Sequence, residues 1–153
     1  MIDNLNLNKI KKVLEEFFQK AGFIVEIKSV DLYEDTISIK IKTEEPQILI
    51  GQNGQTLSEV QYLIKSILRK DIDQKFYVDI DINSYKEKKT EYLKETARSL
   101  ADEVVLSKRE KILSPMSSYD RRIIHLELIN REDVETESIG EEPERRLIIR
   151  PKA

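Results

Sequence analysis

Apolar residues recur at intervals of three and four at the start of the chain: Leu7, Ile10, Val13, Leu14, Phe17, Phe18 and Ala21. That spacing predicts an amphipathic helix, closed by Gly22 as its left-handed terminal residue. The period then changes to two. Val25, Ile27 and Val30 alternate weakly with Glu26 and Lys28, so a strand is predicted over 23–32. Ile37, Ile39 and Ile41 alternate cleanly with Ser38, Lys40 and Lys42. With Glu34 and Asp35 turning the chain, this predicts an antiparallel hairpin with one buried face. Glu45-Pro46 breaks the pattern and suits the opening of a short helix. Leu57, Val60, Ile64, Ile67 and Leu68 restore the helical period over 55–69, and Phe76, Val78, Ile80 and Ile82 alternate as a third strand.

The second half starts after a seam at Asn83-Ser84. Tyr92, Leu93, Ala97, Leu100, Ala101, Val104 and Val105 predict a helix over 85–106, with Lys and Glu mixed on its polar face. A short apolar piece, Lys111-Ile112-Leu113, ends at Ser114-Pro115, and a further helix is predicted over 118–130. Two extended runs, 134–139 and 145–150, flank Gly140-Glu141-Glu142-Pro143 and read as a hairpin, with 151–153 as a tail. The whole is an α+β chain of two small domains, 1–83 and 84–153.

Composition narrows the chemistry. The 153 residues are 39% apolar and 36% charged, enough for two cores under a heavily solvated surface. With no Cys there is no disulfide framework, thiol nucleophile or Cys-based zinc site, and a single His makes a His-rich metal site implausible. No cofactor or metal is expected. No apolar run reaches membrane-spanning length and the N-terminus lacks a secretory pattern, so a cytoplasmic protein is expected. The net charge of −3 argues mildly against an indiscriminate polyanion binder. Local charge differs: residues 85–131 carry 11 Lys/Arg against 8 Asp/Glu.

The apolar triplet Ile48-Leu49-Ile50 runs into Gly51-Gln52-Asn53-Gly54, followed by Gln55, Thr56 and a helix. Two glycines without Cβ allow a tight turn and close backbone approach. Unpaired amides at the start of the helix and its dipole favour a phosphate there. The plainer reading is a helix–turn–helix corner with glycine for geometry alone. In context the stretch resembles the clamp of a KH domain, where I-G-x-x-G joins two helices and grips about four nucleotides. The order helix, strand, strand, short helix, GxxG, helix, strand over 5–82 is similar to a type II KH domain, which implies a three-stranded sheet with helices on one face. Where many KH loops carry Lys or Arg, this one has Gln52 and Asn53, which donate hydrogen bonds without charge.

In the predicted helix at 118–130, Arg121 and His125 are four apart and share a face, bordered by Leu128 and Ile129. The plainer reading is a lone His half buried on a core face. The run from Met116 to His125, Met-Ser-Ser-Tyr-Asp-Arg-Arg-Ile-Ile-His, resembles the signature of the Arg-x-x-x-His (R-3-H) domain, a small fold associated with single-stranded nucleic acid. The later stretch from Val134 to Arg146 does so too. Helices packed on a small antiparallel sheet are implied. A KH domain followed by an R-3-H domain is similar to the Jag (SpoIIIJ-associated) family of bacterial RNA-binding proteins. That family's N-terminal Jag-N domain and linker have no counterpart in this sequence.

The resemblance implies a non-catalytic binder of single-stranded RNA, or of single-stranded DNA. Its contacts would be Gly51, Gln52, Asn53, Gly54, Gln55, Thr56, Arg121, Arg122, His125, Arg145 and Arg146, with Arg150 extending the hairpin and Ile48, Ile50 and Leu57 lining a base-reading groove. The family also implies a post-transcriptional role in cell elongation, division or sporulation, and a small single-KH partner protein. For the hairpin arginines the alternative is an edge strand protected by charge. Arg122 has the alternative of pairing with Asp120 or Glu127. Two other functions are weighed: a protein-interaction scaffold, favoured by the uncharged glycine loop, and a nuclease using His125 with Asp120 or Glu127. No nucleophile motif or P-loop accompanies the last.

Overall fold

The computed structural model describes residues 6–153. Leu5, where the KH resemblance begins, and the rest of 1–5 lie outside the described residues. The chain forms two compact units divided between Lys86 and Glu87.

In the first unit, helix α1 (Leu7–Lys20) is capped by Asn6, whose side chain accepts the Lys9 amide at 3.2 Å. Strands β1 (Glu26–Tyr33) and β2 (Thr36–Lys42) form the expected antiparallel hairpin. The first strand starts at Glu26, not Phe23. Its register skips a residue between Ile27 and Ser29. That bulge explains the weak alternation, since an extra residue shifts the side chains beyond it to the opposite parity. After α2 (Pro46–Ile50), one 3-10 turn (Gln52–Gly54) and α3 (Gln55–Leu68), the chain returns as β3 (Tyr77–Ile82), which pairs parallel to β2. The sheet order is β1-β2-β3. Ile37, Ile39, Ile41, Ile80 and Ile82 bury one face in a core shared with Leu14 and Phe18 of α1 and Leu57 and Ile64 of α3. Each such side chain contributes roughly 1.5–3 kcal/mol relative to exposure. Lys40 and Lys42 alternate onto the wet face.

In the second unit, α4 (Tyr85–Ser107) supplies Ala97, Ala101 and Val104 to a core with Ile124 and Leu128 of α5 (Ser118–Leu128). Ser117 caps α5, accepting the Asp120 amide at 3.2 Å. Strands β5 (Val134–Ile139) and β6 (Arg146–Pro151) make the expected hairpin. The short apolar piece before Pro115 is a third strand, β4 (Lys111–Ile112), which pairs with Ile148 and Ile149. The order β4-β6-β5 puts β6 in the middle. The edge-strand reading of its arginines is therefore corrected: β6 has a neighbour on each side. Pro151 also belongs to β6, opposite Val134, instead of starting a tail. No helix among the described residues is long and apolar enough to cross a membrane.

Candidate nucleic-acid interface

The glycine loop lies on the crossover between two parallel strands, so the core beneath fixes its position. Gly51 has φ 71° and ψ −176°, a backbone region open essentially to glycine alone. A Cβ there would lie 2.1 Å from the Thr56 hydroxyl and 3.0 Å from the Thr56 amide nitrogen. Asn53 adopts the left-handed conformation that Asn tolerates better than most residues. Gly54 is left-handed at φ 79° and stands at the N-cap of α3. Having no side chain, it offers the first turn of α3 no side-chain cap, and the Gln55 amide donates instead to the Gln52 carbonyl within the loop. The Tyr85 ring passes 3.5 Å from the position a Gly54 Cβ would take.

Gln52, Asn53 and Gln55 are exposed, and Gly51, Gly54 and Thr56 are half-buried. Gln55 donates to Glu59 at 3.3 Å. No Lys or Arg occurs between 43 and 64, while Glu44, Glu45 and Glu59 do. Any anion held here is held by amides and carboxamides, not by charge. Of the three expected groove residues, Ile50 and Leu57 are core side chains, and Ile48 alone faces solvent. The apolar period of a helix marks core and groove alike, which is why they were not separable in the sequence.

In the second unit Arg121 and His125 part company. Arg121 is 7% exposed. Its guanidinium donates to the Met116 carbonyl at 2.5 Å, the Arg145 carbonyl at 3.5 Å and the Glu142 carboxylate at 2.6 Å. It thus ties the start of α5 to the β5–β6 turn. His125 is exposed, with Nδ1 2.6 Å from the Thr136 hydroxyl on β5. The half-buried histidine reading fails; the buried polar residues on that helix are Asp120 and Arg121. Arg122 is exposed and has no hydrogen bond or ion pair among the described residues. Its expected acidic partners are engaged elsewhere: Asp120 with Lys89 at 3.0 Å, and Glu127 with Arg98 at 2.5 Å. In this structure neither carboxylate pairs with His125, whose ring nitrogen meets Thr136 instead.

The hairpin arginines make local contacts. Arg145 donates to Ser138 at 2.9 Å, Arg146 to the Glu144 carbonyl at 3.1 Å, and Arg150 pairs with Glu110 and Glu137. Those two carboxylates raise the Arg150 pKa further. Arg122 and His125 are both exposed on α5, Arg122 without a side-chain bond among the described residues and His125 held by Thr136.

The KH domain family matches residues 9–92 and the R-3-H domain family residues 91–151. A protein of Clostridium symbiosum named RNA-binding protein KhpB is 38% identical over 145 residues, covering 93% of this chain and 64% of its own length. Proteins of the same name from Streptococcus pneumoniae serotype 2 (strain D39 / NCTC 7466) and Bacillus subtilis (strain 168) are 34% identical over 121 residues and 35% over 119. Those matches cover 79% and 76% of this chain, and 37% and 57% of the relatives. The chain therefore spans between about two-fifths and two-thirds of the length of these relatives. With both domains present in this order, the chain belongs to the Jag (SpoIIIJ-associated) family of KH–R-3-H proteins.

Proposed function

We propose that the chain is a non-catalytic, cytoplasmic binder of single-stranded RNA that acts as a post-transcriptional regulator. The observation that carries this reading is the geometry at Gly51–Gly54: a loop with no room for a side chain at Gly51, opening on a helix whose N-cap has none to offer. That arrangement suits a phosphate approaching the first turn of α3, where no side chain caps the helix. The relatives' name, RNA-binding protein KhpB, supports the ligand class. In this reading residues 51–56 hold backbone, and the exposed face of α5 offers Arg122 for phosphate and His125 for stacking or hydrogen bonding. Arg145 and Arg146 flank it, and Arg121 acts as a positioning residue that fixes α5 against the hairpin turn. Domains 1–83 and 84–153, with the seam at Asn83-Ser84, are each weak binders whose covalent linkage raises their joint affinity.

A specific observation also favours a protein-interaction scaffold, in which a small single-KH protein is a fitting partner: the glycine loop sits in a segment with acidic residues and no basic ones. Titration of labelled single-stranded RNA, matched DNA and duplex RNA separates the readings. The RNA reading expects single strands to bind best, and both Gln52→Asp/Asn53→Asp and Arg122→Ala/His125→Ala to weaken binding. If wild type binds no nucleic acid at moderate salt, the scaffold reading replaces it.

A further inference from the structure

Tyr77 opens the edge strand β3 and is 43% exposed. Two lysines from different parts of the chain converge on it. Lys65 Nζ, from α3, lies 5.1 Å from the ring centroid, and Lys75 Nζ, from the loop before β3, lies 5.4 Å away. Hydrogen bonding to the Tyr77 hydroxyl raises the Lys75 pKa, with Asp35 as the acid acting on it. Neither lysine has an ion pair among the described residues. An exposed ring with ammonium groups beside it combines a sequence-tolerant stacking surface with charge for the adjoining phosphates.

The position is informative. α3 begins at the glycine loop, and its side toward β3 carries Gln61, which accepts the Ile80 amide at 2.8 Å, and one turn later Lys65. From Gln55 to Lys65 is about 15 Å along the helix axis. A strand clamped at the loop and running along α3 comes to Tyr77 beyond the nucleotides the loop itself holds.

We propose that Tyr77, with Lys65 and Lys75 close to its ring, is a base-stacking platform that extends the single-stranded RNA footprint past the glycine loop. This rests on the RNA-binding reading above and adds a position that favours ligands longer than the clamp.

The chain has no Trp, so Tyr77→Trp places a single fluorescent indole on the proposed platform. That variant, as the full chain, is titrated with fluorescein-labelled oligouridylate and oligoadenylate of four and eight nucleotides. Anisotropy of the label reads binding, and unlabelled RNA is used to read the indole. The expected result is quenching by the eight-mers that saturates with binding, and a roughly 5- to 150-fold loss of eight-mer affinity in Tyr77→Leu, the range for one lost base–aromatic stack. Tyr77→Phe keeps wild-type affinity within about twofold, since the π-face remains. Tyr33→Leu, which removes another exposed ring on the same sheet with no lysine over it, leaves affinity unchanged. Eight-mer binding with no change in the indole, or an equal loss in Tyr33→Leu, overturns the platform and leaves the RNA reading standing. No anisotropy change with wild type at any length overturns both.

Discussion

Arg121 and His125 stand one turn apart on α5, yet the boundary between core and solvent runs between them: the arginine is buried and the histidine exposed. The two residues that name the domain therefore do different work. Arg121→Ala removes the donors to the Met116 carbonyl and to Glu142. Solvent screens the Glu142 end, which is more than half exposed, so the carbonyl bonds carry the larger share. The expected loss is about 2–3 kcal/mol of stability. Arg121→Lys recovers little, because an ammonium cannot reproduce the planar fork. Chemical denaturation of the variants measures this.

Arg122 gives the opposite outcome. No hydrogen bond or ion pair among the described residues uses its exposed guanidinium, so Arg122→Ala holds stability within about 0.5 kcal/mol. If it contacts one phosphate, the slope of log affinity against log salt flattens by about 0.7 for a single strand. A salt series on labelled RNA, run beside wild type, reads the slope directly.

The two loop glycines differ in what they forbid. Gly51→Ala drives a Cβ into Thr56 in a backbone region that alanine avoids, so the cost is on the order of 3 kcal/mol. Gly54→Ala meets only ordinary contact with Tyr85 and a left-handed φ, costing about 1–2 kcal/mol. Urea midpoints should therefore fall in the order wild type, Gly54→Ala, Gly51→Ala. Equal midpoints for the two variants would contradict the packing described.

Asp133 supplies an acid-side test. Arg131 grips it through two nitrogens, at 2.8 and 2.6 Å, and holds its carboxyl below the ordinary 3.8. The folded pKa is depressed, so the pair adds stability above the unfolded value and loses it as pH falls through the folded one. Below about pH 4, melting temperature should fall more steeply for wild type than for Asp133→Asn. Parallel acid melts compare the two slopes.

Much of the fold was legible because its helices and strands bury one stripe or one face each. Ile37, Ile39 and Ile41 declared a strand, and Leu57, Val60, Ile64 and Leu68 a helix, by period alone. β4 was not legible: two residues are too few for any period, and Lys111–Ile112 becomes a strand only because β6 offers an open side. The site was legible as motifs but not as roles. Arg121 and Arg122 are adjacent and chemically identical, and a turn of about 100° decides which faces the core. Tyr77 carried no signal at all, because Lys65 reaches it only once α3 packs beside β3.

The parallel pairing of Thr36 with Tyr77 separates the partners by about forty residues, with the glycine loop inside the intervening stretch. Distant pairings of this kind are slow to close during folding. During synthesis, the loop cannot be anchored at both ends until β3 has left the ribosome. In the nascent first domain the glycine loop therefore takes up its fixed position in one late step, together with the closing of the sheet.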